Sequence, residues 1–157
     1  MKRTKNTITR HLVIAMLVSC SCYSQFSAYF PVATNHVVKA PVEFPYVEGE
    51  GGNSGVVLSY DKGIMVYSAG VIRNSFGLTS KLAFIGVKKR LQNVDFILSA
   101  GVADGYDIPK QYRGRFISDK GIAPLVLLSL KKEVYKKIGV QLNISPLYIN
   151  YGIFINI

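Results

Sequence analysis

Residues 138–157 read IGVQLNISPLYINYGIFINI, and their alternation decides the fold. Ile138, Val140, Leu142 and Ile144 fall on one face, with Gly139, Gln141 and Asn143 on the other. After a break at Ser145 and Pro146, Tyr151, Ile153, Ile155 and Ile157 alternate with Asn150, Gly152 and Asn156; Phe154 is the one exception. A period of two is the signature of a β-strand with two unlike faces.

The same reading, carried toward the N-terminus, gives eight β segments. Strand one is expected at about 36–46, weakened by Pro41 and Pro45, which suit an edge or a strand end. The others are expected at 55–60, 64–73, 80–88, 95–102, 122–131, 138–144 and 150–157. If the last strand ends in the periplasm, the longer connections at 48–54, 74–79, 103–121 and 145–149 share the outer side. The short ones at 61–63, 89–94 and 132–137 share the periplasmic side. Short turns on one side and longer loops on the other is the arrangement of outer-membrane barrels. The expected fold is therefore all-β: an eight-stranded antiparallel up-and-down β-barrel of outer-membrane type, too narrow to be an open pore. The final strand, with a polar residue, Gly152, Ile155 and Ile157, also resembles the terminal strand signal of such barrels.

Composition is compatible with this. Apolar residues make up 49% of the chain, yet no run after the N-terminus approaches the roughly 20 residues of a spanning helix. Strands that face lipid with every second residue account for both facts. Phe96, Leu98, Ala100 and Val102 form one face of strand five, against Asp95, Ile97, Ser99 and Gly101. Strand six sets Pro124, Val126, Leu128 and Leu130 against Leu125, Leu127, Ser129 and Lys131. A polar lumen inside an apolar wall explains the pattern, with Leu125 and Leu127 marking an apolar pocket at one end. The inverse assignment describes a soluble or lipid-tethered lipocalin-like barrel. The chain has no Trp, so its ten Tyr residues would have to supply the interfacial girdle.

At the N-terminus, Lys2, Arg3, Lys5 and Arg10 precede the apolar stretch 12–18, as in a secretory signal. Two organisations follow: a signal peptide over 1–24, or over 1–19 with Cys20 lipidated within a lipobox-like LVSC at 17–20. Cleavage after Ala28 is a further possibility. A linker over 25–35 and a barrel over 36–157 complete the chain. Cys20 and Cys22 are the only cysteines, so the exported domain is expected to hold no disulfide and no cysteine-based metal or redox site. Removing the signal's four cations leaves fifteen basic residues against nine acidic ones. The clusters at 88–90, 131–132 and 136–137 suit solvated turns and, near a bilayer, phosphate head groups. Nucleic acid is not an expected partner of an exported chain without a nucleic-acid motif.

Five segments in order, 55–60 (GVVLSY), 66–76 (VYSAGVIRNSF), 99–102 (SAGV), 123–128 (APLVLL) and 140–146 (VQLNISP), resemble the lipid A palmitoyltransferase family of eight-stranded outer-membrane barrels. The resemblance implies a barrel whose outward end admits one acyl chain, and a transfer of that chain from phospholipid to lipid A. It also implies working residues: a His on the first external loop and an Asp-Ser pair on the second. Here Ser75 matches the Ser, while Asn74 stands in the Asp position. The first loop, at 48–54, has no His, and His36 is expected near the periplasmic start of strand one. A serine hydroxyl without a base is a weak nucleophile.

The expectation is thus a Gram-negative outer-membrane protein, monomeric, without cofactor or metal. It would act on lipid (phospholipid or lipopolysaccharide) or on another envelope protein rather than by catalysis. An acyltransferase acting on lipid A through Ser75 is the alternative. Lys110, Arg113 and Arg115, on the longest external loop, are the candidate phosphate ligands.

Overall fold

Three two-residue turns set the hairpins. Gly63 and Ile64 join β2 (Gly55–Lys62) to β3 (Met65–Arg73). Gln92 and Asn93 join β4 (Thr79–Leu91) to β5 (Val94–Asp104). Lys136 and Lys137 join β6 (Ala123–Tyr135) to β7 (Ile138–Ile144). In each turn the first residue takes a positive φ: 62° at Gly63, 53° at Gln92 and 49° at Lys136. Tight hairpins demand this backbone because their turn must match the right-handed strand twist. Glycine adopts it without steric cost, and Gln92 and Lys136 adopt it against their preference.

The computed structural model describes residues 24–37, 54–74, 76–106, 118 and 120–157. Together with β1 (Ser24–His36) and β8 (Tyr148–Asn156), these strands close in sequence order into an eight-stranded antiparallel barrel. Closure runs from Ser27 opposite Asn156 to His36 opposite Tyr148. The short turns lie at one end, hereafter the turn end, and the strand ends His36 and Gly55, Arg73 and Thr79, Asp104 and Ala123, and Ile144 and Tyr148 lie at the other, the loop end.

The first strand corrects the sequence reading. Residues 25–35, expected as a linker, are the body of β1, and 38–46 of the expected strand one lie outside the described residues. The cause is a bulge between Pro31 and Ala33. Ser27, Tyr29 and Pro31 face inward, and after the extra residue it is Thr34 and His36 that do. A bulge breaks the period of two, so the segment shows no sustained alternation.

Burial gives the two faces. Phe26, Leu58, Leu98, Val126 and Ile153 are 46–56% exposed. Ser27, Ser99, Ser129, Asn143 and Asn150 are buried. Apolar side chains therefore cover the outer wall, and the lumen holds most of the polar and small ones together with a minority of apolar residues such as Leu125, Leu127 and Phe154. This is the reverse of a soluble barrel and the pattern of a lipid-facing one. On the outside near the turn end, Phe26, Tyr60 and Tyr67 are successive cross-strand partners, with ring centroids 4.9 and 6.4 Å apart. Such a row is an aromatic girdle built without Trp. Phe154, the exception in the last strand, points into the lumen and is 1% exposed.

Candidate functional site

The lumen is layered. Its turn-end layer is charged: Lys88 Nζ meets Asp61 Oδ2 at 2.5 Å, and Arg90 grips Asp95 with Nε at 2.5 Å and a second guanidinium nitrogen at 2.7 Å. Lys131 Nζ donates to Ser27 Oγ at 2.9 Å and stands 4.3 Å from the Phe154 ring centroid. These groups come from β1, β2, β4, β5, β6 and β8, so the layer ties most of the circumference together. Two ion pairs and the Lys131 ammonium thus occupy the narrow lumen at this end.

Above it, one wall is a hydrogen-bonded polar cluster. Tyr29 donates its hydroxyl to Asn150 Oδ1, and Asn150 Nδ2 donates to Thr34 Oγ1 at 2.8 Å and Ala33 O at 3.1 Å. Ser129 Oγ and Gln141 Nε2 both donate to Asn143 Oδ1, at 2.6 and 2.8 Å. These buried groups satisfy one another, which fixes β1 against β8 and β6 against β7.

The opposite wall is apolar. Ala103, Ala123, Leu125 and Leu127 are buried and face inward, and the Phe84 ring lies over Gly101 beside them, where an added Cβ would meet Phe84 Cδ1 at 2.5 Å. At this level the barrel wall is incomplete. Pairing of β6 with β7 runs only from Tyr135 opposite Ile138 to Leu128 opposite Ile144. Residues 123–127 of β6 pair with β5 alone. A second notch lies between β1 and β2, whose pairing ends at Tyr29 opposite Val57, so among the described residues 30–36 pair with β8 alone. Pro124, on the β6 stretch, and Pro146, just past β7, lack the amide hydrogen that would extend the ladder. Among the described residues, then, the loop-end half of the lumen has one apolar wall, one polar wall and two lateral breaks.

Of the residues expected to form a site, Asn74 is described and the rest of that set, Ser75, Cys20, Lys110, Arg113 and Arg115, lies outside the described residues. Asn74 is buried after β3 and acts on the backbone. Its Oδ1 accepts the amides of Phe76 and Leu78, each at 3.0 Å, and its Nδ2 donates to Ser80 Oγ at 2.9 Å and Gly105 O at 3.3 Å. The side chain thus folds its own loop and straps it to the end of β5, a turn role typical of Asn. His36 requires a correction. It ends β1 at the loop end, not at the periplasmic start, and pairs with Tyr148, its ring 6.5 Å from the Tyr148 ring in an edge-on arrangement. The same bulge that hid β1 from the sequence reading misplaced this residue. The notch beside 123–127 was signalled only by Pro124 and Pro146, and strand registers are invisible in a period-two count.

No family model matches the chain, and no curated protein does. Among solved structures it is similar to one described as de novo design of transmembrane beta-barrels, at a TM-score of 0.57 and 13% identity, over 85% of this chain and 95% of that one. A likeness of this kind concerns the fold alone: this is a membrane-type eight-stranded barrel.

Proposed function

We propose that the chain is an outer-membrane barrel that holds one acyl chain of a membrane lipid in the loop-end half of its lumen, without catalysis of its own. The observation that carries this reading is the notch beside 123–127, which opens the apolar wall of Ala123, Leu125 and Leu127 sideways toward the zone of the apolar belt. A linear hydrocarbon suits such a space: it is slim, it has no polar group to satisfy, and the charged layer below stops it. The apolar outer wall and the aromatic row support residence in a bilayer, and the basic, apolar N-terminal segment supports export. The resemblance to lipid A palmitoyltransferases supports lipid as the partner.

The absence of Trp provides the test. Leu125→Trp places a single fluorophore inside the lumen, and Val126→Trp places one outside. In vesicles of phosphatidylcholine brominated along its acyl chains, both are expected to be quenched. Quenching of the outer reporter alone would refute the reading.

A second reading, acyl transfer to lipid A, gains from the position of His36. The imidazole is at the same end of the barrel as the loop that carries Ser75, with β2 between their strands. In this reading His36 accepts the Ser75 hydroxyl proton as the oxygen attacks the phospholipid ester, and passes it to the departing lysophospholipid oxygen. A lipid A hydroxyl then takes the acyl group from the acyl-serine, and the Ser75 oxygen recovers its proton. Mass spectrometry of lipid A from cells with and without the protein separates the two. A gain of one acyl chain, lost in both Ser75→Ala and His36→Ala, would establish transfer; unchanged lipid A with a folded barrel would leave binding alone.

A further inference from the structure

The turn-end rim carries more positive charge than its own acids neutralise. Lys62, Lys89, Arg90, Lys132, Lys136 and Lys137 are all exposed there. Of the carboxylates at this end, Asp61 and Asp95 are buried in the lumen and bound by Lys88 and Arg90. Glu133 accepts from Asn156 Nδ2 at 3.2 Å. Among the described residues, five exposed lysines therefore face the surroundings with one exposed side-chain carboxylate, Glu133, among them.

Their placement is as telling as their number. Lys62, Lys89 and Lys132 follow the inward residues Asp61, Lys88 and Lys131 by one position, so they point outward, on β2, β4 and β6. Two residues farther from the rim on those same outer faces stand Tyr60, Val87 and Leu130. Each ammonium thus caps an outer column of apolar side chains, at the level just beyond the Phe26, Tyr60 and Tyr67 row. Lys136 and Lys137 add two more in the β6–β7 turn, with Lys136 Nζ 5.1 Å from the Tyr135 ring centroid. A lysine at such a level lays its stem along apolar surface and carries its charge out to the head groups. A protein partner would be met by a compact patch. These cations are instead spread along the edge of the apolar belt, where a leaflet ends.

We propose that this rim is a docking surface for anionic phospholipids, the phosphatidylglycerol class, in the leaflet that meets the turn end. A zwitterionic head group brings its own ammonium to the rim, and an anionic one brings only the phosphate charge, so the rim discriminates between them. The proposal rests on the bilayer reading above and is independent of the acyl-chain site, which lies at the other end.

The full chain, reconstituted in phosphatidylcholine bilayers with trace spin-labelled phosphatidylglycerol or phosphatidylcholine, gives the relative association of the two lipids by electron paramagnetic resonance. Severalfold preference for phosphatidylglycerol is expected at low salt, shrinking as salt screens the rim. In K62Q/K89Q/K132Q/K136Q/K137Q the preference should fall to parity. Parity in the unmodified protein would overturn the proposal, and so would a preference retained by the variant, which would move the selectivity to cations elsewhere. Absence of any motionally restricted lipid would instead refute the bilayer reading. Should the fivefold variant not fold, K62Q/K89Q and K132Q/K137Q each test half of the rim, and each should lower the preference.

Discussion

The ring of Phe154 lies across Gly139 of the neighbouring strand, so close that a Cβ on Gly139 would stand 2.4 Å from Phe154 Cζ. Eight strands enclose little space, and an aromatic ring enters it only where the adjacent inward position has no side chain. The ring in turn underlies the Lys131 ammonium, so the packing of one glycine supports the charged layer. Gly139→Ala should therefore destabilise the barrel by about 1–3 kcal/mol through overpacking. Urea unfolding in lipid vesicles, followed by circular dichroism, measures this, and an unchanged midpoint would show that the ring gives way freely.

The charged layer should respond unequally to loss of its members. Asp61 is buried against Lys88, and Asp61→Asn leaves the Lys88 ammonium without its counter-charge, at an expected loss of about 3 kcal/mol. Lys131 has a hydroxyl and a ring for company rather than a direct carboxylate partner. Lys131→Met removes a buried charge in exchange for an apolar side chain of similar length, and should be neutral or stabilising by about 1 kcal/mol. A larger loss at Lys131 than at Asp61 in the same unfolding assay would mean that the ammonium, not the ion pair, organises the layer.

These contacts were partly legible beforehand. Strands seven and eight declared their period, their break at Ser145 and Pro146, and one polar face, and the short connections expected at 61–63, 89–94 and 132–137 declared the sidedness of the loops. Leu125 and Leu127 stood out as apolar residues on a polar face, and they line the apolar wall of the lumen. What stayed hidden depends on register. The bulge at Pro31 inverted the phase of β1, so its inward set, Ser27, Tyr29, Thr34 and His36, never appeared as one face. The notch at 123–127 arises because β7 is shorter than β6, a comparison between strands that a single strand's pattern does not contain.

Asn74 offers a direct test of structural against chemical need. An Asp there keeps the two amide contacts but loses the donors to Ser80 and Gly105, and sets a carboxylate oxygen toward the Gly105 carbonyl. Asn74→Asp should cost about 1–3 kcal/mol at neutral pH. A variant as stable as the parent at neutral pH would show that the loop does not depend on the amide's donors.

The position of β1 constrains how an exported form can begin. Phe26 through Ala28 pair with Tyr60 through Leu58, and Ser27 and Ala28 also pair with Asn156 and Ile155, so this short segment closes the barrel at the turn end. Phe26 O also accepts the Ile157 amide at 2.8 Å, and Ser27 Oγ holds Lys131. Cleavage after Ala28 would strip away these partners, expose the edges of β2 and β8, and leave the buried ammonium without its acceptor. On the export reading proposed above, the mature chain should therefore begin no later than Ser24 or the residue after it, and intact mass of the protein isolated from the membranes of expressing cells reads this directly. A shortened chain starting at Tyr29 should fail to show the compact, unboiled gel migration of a closed barrel; if it folds as stably as the longer one, β1 closes the wall through 29–36 alone.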